Sequence, residues 1–344
     1  MKASKRAKTL AVTILDLSGI PWLLRPFLGG RGTILSFHRI LPANAKTLNP
    51  GTAVTTTQLE SILRFLRKKK WDIIPLSEIP ERLRAHRAGR YFVSITLDDG
   101  CSDNLHLAAP LFQKYNAPFC VFVNSGVVDR SVIPWWTLVE PIILGTREIV
   151  IEHPSKGQLR FSCDNYDEKC AAMRQLLEIG WRDRPAMREA LRNYCSKNGM
   201  SVESLIGKVH LSWDELRCIA RDPLGSVGSH TVSHDILSEL SLEDARYEIQ
   251  ADRERLEAEL GRPVEDIAYP LGSPAQCGPR EFEIAREAGF LRGVTTHRWN
   301  LFSSDSDKLL ALPRVTVSMA HSESARFVRV SAYGAWNALV AIMR

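Results

Sequence analysis

The sequence SITLDDG occupies residues 94–100 and ends an apolar run that begins at Phe92. A short apolar run followed by a turn residue is typical of a buried strand in an α/β protein, and we predict a strand over Phe92–Asp98. Neighbouring side chains on a strand point to opposite faces, so Asp98 and Asp99 can share one pocket only if the chain turns before Gly100. The carboxyl ends of strands are where α/β folds place their sites, although a plain Asp-Gly turn is the alternative interpretation.

Apolar runs alternate with helical periodicity along most of the remaining chain. The segment from Leu59 to Leu66 has the spacing of one buried helix face and ends in a lysine run, and a second such helix is predicted after Ser241. Alternation of this kind is typical of α/β folds, either a (β/α) barrel or a layered sheet. The further strands that the pattern predicts are Thr33–Ile40, Phe119–Val123, Ser226–Ser229, Ile267–Tyr269 and Gly293–Thr296.

The alternation of strands and helices fails between residues 130 and 210, which include Trp135 and Trp136. Long excursions from a compact domain are usually functional or mobile, so this stretch is predicted to be a largely helical insertion that forms a lid or a substrate wall. The predicted segments are a basic amphipathic N-terminal segment (1–32), a core domain (33–129 and 211–315), the insertion (130–210) and an amphipathic C-terminal tail (316–344).

Composition restricts the choice of partners. The net charge is +6, and a basic stretch over residues 64–90 contains three consecutive lysines, but no interleaved aromatic platform accompanies it. We therefore expect no nucleic-acid partner. The seven cysteines are scattered without metal-binding spacing, which is typical of reduced thiols in a cytosolic protein.

The N-terminal segment contains six basic residues and only one acidic residue, Asp16. Asp16 and Gly19 interrupt its apolar run and no small-residue cleavage site follows, which argues against a secretory signal. No stretch has the length and apolarity of a membrane span. The segment could lie on an anionic membrane surface, as could the tail from Val330 to Arg344; alternatively, both ends pack on the domain.

His230 and His234 stand four residues apart in the sequence HTVSH, after a strand-like run. If this segment is helical, the two imidazoles share a face and can hold one ion. A buried histidine pair in an apolar core would need partners, so metal ligation is the stronger interpretation. Together with Asp98 and Asp99, the pair supplies three nitrogen or oxygen ligands and a spare carboxylate, which is what a mononuclear hydrolytic metal site needs.

These motifs resemble those of the polysaccharide deacetylase family, carbohydrate esterase family 4. TLDDG at residues 96–100 matches the family pattern T-F-D-D-G with Leu97 in place of phenylalanine, and HTVSH matches H-[S/T]-x-x-H fully. AYPLG at residues 268–272 stands where many members have R-P-P-Y-G, with Ala268 in place of arginine. The resemblance covers roughly residues 33–315 without the insertion. It implies a distorted (β/α) barrel.

The resemblance also implies roles for the motif residues. Asp99, His230 and His234 would hold a divalent cation, with zinc expected and cobalt or nickel as alternatives. Asp98 would act as the general base that takes a proton from water. The backbone N–H of Leu271 would help the metal to stabilise the oxyanion.

The resemblance does not supply the family's usual general acid, because its C-terminal L-x-H motif is replaced here by LPRV at residues 312–315. LSFHR at residues 35–39 resembles an N-terminal element of the poly-N-acetylglucosamine deacetylase-like subgroup, in which the motif order is permuted. This resemblance nominates His38 as the acid, with His297 as its competitor. Ala268 cannot provide the charge partner that arginine gives to the base in other members. Arg314 or Arg39 could be this partner, unless either arginine makes only a surface ion pair.

The leading hypothesis is a metal-dependent deacetylase that removes the N-acetyl group of an amino sugar in a bacterial polysaccharide or its lipid-linked precursor. We expect it in the cytoplasm, in peripheral contact with the inner membrane during exopolysaccharide assembly. Trp135 and Trp136 could stack on sugar rings or pack internally. The alternatives are a deformylase or other amide hydrolase acting on a lipid-linked amino sugar, and a catalytically degenerate member that binds glycan. The sugar, its linkage, the polymer length, the cation and the oligomeric state are not specified by the sequence.

Overall fold

The computed structural model describes residues 2–85, 89–321 and 324–342. Positions 1, 86–88, 322–323 and 343–344 lie outside the described residues, so the predicted terminal segments 1–32 and 316–344 are covered only in part. The strands are β1 (Gly32–Phe37), β2 (Arg39–Leu41), β3 (Ala53–Thr55), β4 (Asp72–Ile73), β5 (Phe92–Leu97), β6 (Phe119–Val123), β7 (Glu148–His153), β8 (Gly157–Ser162), β9 (Gly225–Ser229), β10 (Asp266–Ala268), β11 (Arg292–Val294) and β12 (Val315–Thr316). The helices are α1 (Lys2–Leu17), α2 (Ile20–Leu28), α3 (Thr56–Lys68), α4 (Ile79–Arg84), α5 (Ala109–Lys114), α6 (Ser125–Val128), α7 (Trp135–Leu144), α8 (Tyr166–Arg182), α9 (Arg184–Lys197), α10 (Val202–Val209), α11 (Trp213–Arg221), α12 (Leu242–Leu260), α13 (Pro279–Glu287), α14 (Ser324–Ala332) and α15 (Ala335–Ile342).

The core is an 8-stranded parallel sheet in the order β11-β10-β9-β6-β5-β1-β12, with β4 paired to the start of β5. Every residue of β1, β5 and β6 is buried, as expected for a parallel sheet covered on both faces. A parallel bridge between Val294 and Leu312 links β11 to the segment that leads into β12, so the sheet curls back on itself. The predicted distorted (β/α) barrel is confirmed.

The strand predicted over Thr33–Ile40 is interrupted. β1 ends at Phe37, and β2 begins at Arg39 and pairs with β3 in a separate two-stranded sheet. His38 therefore stands between two strands that belong to different sheets. This break places the histidine at the carboxyl end of a barrel strand.

The predicted helices are present, and their ends follow local chemistry. Thr55 and Gln58 form a reciprocal capping box at the start of α3. The side chain of Ser241 caps the start of α12, and Gly261 ends that helix with a φ of 65°. Glycine adopts this left-handed conformation without the steric cost that a Cβ imposes.

Residues 130–210 contain α7 to α10 and an antiparallel hairpin formed by β7 and β8. Their buried side chains form a hydrophobic cluster of their own, which includes Trp135, Leu176 and Leu191. The sequence analysis expected mostly helix here and missed the hairpin. The role of this insertion as a lid or a substrate wall stays a prediction.

The two ends of the chain pack together on one side of the barrel. Val330 and Trp336 of the C-terminal helices are buried, so the tail packs on the domain, which is the alternative that the sequence left open. Asp16 of α1 accepts hydrogen bonds from Arg329 of α14. Among the described helices, none has the length and apolarity to cross a membrane alone, whereas Leu10–Leu17 and Ile20–Leu28, bent by 85°, pass that test together.

The insertion offers a matched test of its packing with two helical glycines. A Cβ at Gly180 in α8 would overlap the indole ring of Trp135, whereas at Gly207 in α10 the nearest atom would lie 3.9 Å away. Overpacking of this kind costs about 1–3 kcal/mol, so Gly180→Ala should lower the free energy of unfolding by that amount. Gly207→Ala should raise it by up to about 1 kcal/mol, because alanine favours the helix. Urea unfolding measures both changes, and equal effects of the two variants would contradict the packing.

Candidate active site

A pocket of about 320 Å³ opens at the carboxyl ends of the barrel strands. Most of the site residues predicted from the sequence line it, namely His38, Arg39, Asp98, Asp99, His230, His234 and Leu271. Arg314 lies behind the wall in contact with Asp98, and His297 lies outside the wall. The structure therefore brings together residues that are more than 200 positions apart in the chain.

Asp98 and Asp99 reach the same pocket because the chain turns directly after β5. Asp98 still donates its main-chain N–H to the oxygen of Phe37, in continuation of the strand ladder. Asp99 and Gly100 then adopt left-handed φ values of 70° and 58°. A Cβ at Gly100 would also lie 2.7 Å from Val123, so only glycine fits this turn. The Asp-Gly turn is present, and it serves to present both carboxylates.

The histidine segment is not helical, so the helical arrangement considered for His230 and His234 is wrong. The segment is a loop after β9, with left-handed φ values of 66° at Thr231 and 60° at His234. The two imidazole rings nevertheless meet, with centroids 4.8 Å apart. Left-handed backbone is unfavourable for a β-branched residue such as threonine, so the surrounding contacts must hold this loop.

Two carboxylates of α12 hold the histidine loop in place through hydrogen bonds. Glu248 accepts hydrogen bonds from the main-chain N–H and the hydroxyl of Ser233, at 2.8 and 2.7 Å. Asp252, one helical turn further on, accepts from the hydroxyl of Ser229 at 2.6 Å and from the N–H of Ser125 at 2.7 Å. Both carboxylates are buried, and they hold the serine that directly precedes each histidine.

Three ligand atoms converge as a metal site requires. The Nε2 atoms of His230 and His234 lie 3.6 and 3.4 Å from Oδ1 of Asp99, and the three atoms fit within 4.8 Å of one another. Oδ1 of Asp99 is buried without a hydrogen-bond partner among the described residues, which is costly unless a cation binds there. Nδ1 of His230 lies 2.6 Å from the main-chain oxygen of Ala268. That oxygen can only accept, so Nδ1 carries the proton and Nε2 is free to bind a metal.

The ionisation states also suit metal ligation. Burial raises the pKa of Asp99, but the nearby imidazoles of His230 and His234 outweigh it and hold the pKa well below its usual range. Burial lowers the pKa of His234 to about 4, so its imidazole is neutral at neutral pH. Burial lowers the pKa of His230, but the neighbouring carboxylates of Asp99 and Asp98 outweigh it and raise the pKa, so a cation would have to displace a proton from this imidazole. A carboxylate and neutral imidazoles are the forms that bind divalent cations such as zinc, cobalt or nickel. The donor set therefore fits the predicted cation.

Arg314 is the charge partner of Asp98. Its two terminal nitrogens lie 2.7 and 2.8 Å from the two carboxylate oxygens, and its side chain is fully buried. Burial raises the pKa of Asp98, yet the guanidinium of Arg314, with smaller contributions from His230 and His38, lowers the pKa overall. A surface ion pair for Arg314 is therefore wrong, and Asp98 is held as an anion.

Arg39 lines the pocket but does not pair with Asp98, so its assignment as the base's partner is wrong. Its Nε atom lies 2.5 Å from Oδ2 of Asp103, whose Oδ1 also accepts the main-chain N–H of Ile40. This pair anchors β2 to the chain that follows the aspartate turn. Spacing in the sequence cannot distinguish this role from the other, because Asp103 lies only four residues beyond Asp99.

The two histidines considered for the general acid occupy different places. Nε2 of His38 lies 3.9 Å from Oδ2 of Asp98, and the side chain is partly exposed in the pocket. His297 is also partly buried, and burial lowers its pKa, but it does not line the pocket. The geometry therefore favours His38 over His297.

The insertion contributes contacts that the sequence analysis missed. The Trp136 ring packs on the His234 ring with centroids 4.5 Å apart, and Trp181 lies beside both. His210 is buried with Nδ1 3.0 Å from the main-chain oxygen of Asp99. No motif marks Trp181 or His210, so only the fold could reveal them.

Asp252 provides a pH-dependent test of the loop anchor. Burial raises its pKa to about 6, against an ordinary value of 3.8. The folded protein thus binds this proton more tightly than the unfolded chain, so the residue's contribution to the free energy of unfolding falls as pH rises from about 4 to about 6. Asp252→Asn can keep both hydrogen bonds without a buried charge. It should be more stable than the parent above pH ~6, by roughly 1–3 kcal/mol, and lose that advantage below pH ~4.

Urea unfolding of both proteins across this pH range, with a chelator present, measures the difference. Asp214→Asn, which changes an exposed carboxylate, controls for the loss of one negative charge. Stability curves of parent and Asp252→Asn that run parallel across the range would contradict a buried, charged anchor.

Comparisons with solved structures agree with the fold. Solved structures with a similar fold include IcaB from Ammonifex degensii, with 17% identity, coverage of 90% of this chain and 98% of that chain, and a TM-score of 0.56. The deacetylase PplD from Streptococcus pyogenes, in complex with acetate, has 17% identity, coverage of 87% and 97%, and a TM-score of 0.55. The BpsB deacetylase domain from Bordetella bronchiseptica has 16% identity, coverage of 83% and 94%, and a TM-score of 0.50. Identities this low show the fold alone.

A search of curated protein sequences finds no significant match. The family model described as "Polysaccharide deacetylase" matches residues 86–292, which is more than half of the chain and includes both the aspartate turn and the histidine loop. The chain therefore belongs to the polysaccharide deacetylase family.

Proposed function

We propose that this protein is a metal-dependent deacetylase that hydrolyses the N-acetyl group of an amino sugar in a polysaccharide or its lipid-linked precursor. Membership of the family makes it a hydrolase of amide bonds, with an N-acetylated polysaccharide as the substrate class. The observation that carries the finer proposal is the convergence of Asp99, His230 and His234 on one point, next to Asp98.

In this proposal, Asp99, His230 and His234 hold a divalent cation, with zinc expected and cobalt or nickel as alternatives. When bound there, such a cation supplies Lewis-acid activation of the attacking water and of the acetyl carbonyl. The hydrogen bond from His230 to Ala268 orients the imidazole toward this point. The pocket has space for an acetamido group to approach these three residues.

Asp98 is proposed as the general base. Arg314 occupies one lone pair on each carboxylate oxygen, and each oxygen keeps a second lone pair for a proton. The lowered pKa keeps the group ionised, which is the state that accepts a proton from the attacking water. Arg314 is thus a positioning residue, since it aims the carboxylate without reaching the pocket.

Protonation of the leaving amine is assigned to His38. It lies in the pocket wall beside Asp98, on the strand break that separates β1 from β2. The main-chain N–H of Leu271 is proposed to donate to the oxygen that becomes negative during attack. Leu271 also lines the pocket, and its left-handed φ of 57° places it at a turn after β10.

The substrate side of the proposal rests on the wall that the insertion provides. Trp136, Met173, Leu177 and Trp181 line the pocket on that side. The flat indole rings of the two tryptophans suit the C–H face of a sugar ring. Trp135 is fully buried and cannot contact a ligand. The cytoplasmic location expected from the sequence stays a prediction.

The metal assignment predicts different outcomes for neighbouring residues. Asp99→Asn and His234→Ala each remove a ligand, so zinc affinity should fall by more than the ~100-fold that loss of an outer contact costs. Asp98→Asn should keep the metal and lose acetate release, because its carboxylate acts on water. His297→Ala, outside the pocket, is the matched control and should keep both. Titration calorimetry with zinc, cobalt and nickel measures affinity; full metal binding by Asp99→Asn would refute the assignment.

The acid assignment predicts that His38→Ala lowers the deacetylation rate by about 10²–10⁴, the usual contribution of a positioned acid, while zinc content is unchanged. His297→Ala should keep the parental rate. Acetate release from N-acetylglucosamine oligomers, with formate release from N-formyl analogues measured in parallel, gives the rates. The reverse pattern would move the acid role to His297. Faster formate release would favour a deformylase, and tight glycan binding without release of either acid would favour a degenerate glycan-binding protein.

A further inference from the structure

The surface formed by α1 and α2 is unusually apolar for an exposed one. We call it the α1–α2 surface and define it by seven side chains that are 45–76% exposed. These are Leu10, Ile14, Leu17, Ile20, Trp22, Leu23 and Phe27. Only five other large apolar side chains are comparably exposed among the described residues, and they are scattered between Leu144 and Leu291. Exposed large apolar side chains concentrated in one helical segment indicate an interaction surface rather than the normal scatter.

Both helices already bury one face on the domain, so the exposed side chains form a second apolar face. In α1, Val12 is buried, while Leu10, Ile14 and Leu17 follow helical spacing on the solvent side. In α2, Pro21 is buried and Arg25 lies over the ring of Tyr333 at 5.3 Å. A surface helix normally shows polar residues to solvent. The second apolar face therefore needs an occupant.

The charge of the residues around this face indicates which kind of partner binds it. Asp16 is the only acidic residue before Glu60 in the sequence, whereas Lys2, Lys5, Arg6 and Lys8 occupy the first turns of α1. Asp16 itself is bound by two arginines of α14, Arg326 and Arg329, so its charge is compensated within the fold. The segment thus combines exposed apolar side chains with an excess of basic over acidic residues in its sequence.

We propose that the α1–α2 surface docks on an anionic lipid bilayer, with both helices lying in the interface. Basic residues beside exposed Trp, Phe and Leu are the chemistry of interfacial helices. The aromatic rings of Trp22 and Phe27 insert at the level of the headgroups, and the net positive charge of the segment attracts it to the anionic phosphates. Crossing the bilayer would require release of the buried Val12 and of the Asp16 ion pairs, so the contacts within the fold keep these helices on the surface. This inference does not rest on the proposed function.

The test uses the full chain and sedimentation with vesicles, either of phosphatidylcholine alone or of phosphatidylcholine mixed with phosphatidylglycerol. The double variant Trp22→Glu/Phe27→Glu should bind the anionic vesicles at least about tenfold more weakly. Burial of one aromatic side chain in the bilayer already raises the affinity by more than about tenfold. Tyr247→Glu/Leu291→Glu changes two side chains that are 63% and 53% exposed elsewhere, and should bind as the parent does. Binding of the parent should weaken in ~0.5 M salt, since screening removes the attraction to the lipid phosphates.

Several outcomes would overturn the proposal. These are failure of the parent to sediment with anionic vesicles, equal binding to both vesicle types, and equal loss of binding in the two double variants. Light scattering without lipid tests whether a second copy of this chain covers the face instead. A dimer of the parent protein that the substitutions Trp22→Glu/Phe27→Glu dissociate would show this. All four substituted residues are exposed, so unchanged thermal unfolding should confirm that each variant is folded.

Discussion

Two neighbouring carboxylates must enter one pocket from the end of a single strand, and the rest of the site depends on the left-handed turn that allows this. Asp99 and Gly100 adopt φ values of 70° and 58°, and Thr231, His234 and Leu271 adopt the same unusual conformation in the other loops of the site. Four of the seven non-glycine residues with positive φ among the described residues therefore belong to the pocket or to its histidine loop. Such positions cost on the order of 1–3 kcal/mol each and persist only where the surroundings enforce them.

The surroundings also give two identical residues different roles. Asp98 has both oxygens bound by the buried guanidinium of Arg314, which fixes its orientation and its negative charge. Asp99 has no arginine; its Oδ1 is unpartnered among the described residues and faces His230 and His234. Two neighbouring carboxylates can act as a base and as a metal ligand only if their environments give them different partners and pKa values. Removing Arg314 would leave a buried uncompensated carboxylate, so this ion pair supports both the fold and the site.

Short-range patterns in the sequence predicted an α/β fold, the aspartate pair and the histidine pair, and the resemblance to the polysaccharide deacetylase family implied the barrel. The choice between Arg39 and Arg314 depends on which guanidinium reaches Asp98 across the barrel, a contact between residues 216 positions apart, so only the fold could decide it. The helical arrangement of the histidine loop was wrong because a spacing of four was interpreted without the left-handed φ at Thr231. The alternating burial of β7 was detectable in the sequence, but the strand is short and lies beside strong helical signals. Asp252 was detectable as well, since it lies on the buried stripe of α12.

The contacts of the insertion favour a substrate wall over a lid that swings open. Arg188 of α9 donates to the main-chain oxygen of Ser233 at 3.0 Å and pairs with Asp235, directly beside His234. Trp136 packs on the His234 ring, and His210 contacts the main chain of Asp99. A rigid movement of the insertion would therefore disturb two of the three proposed metal ligands. Because the aspartate turn and the histidine loop have unfavourable backbone conformations, these contacts are among those that hold the ligands in place, and the insertion must stay packed for the site to keep its geometry.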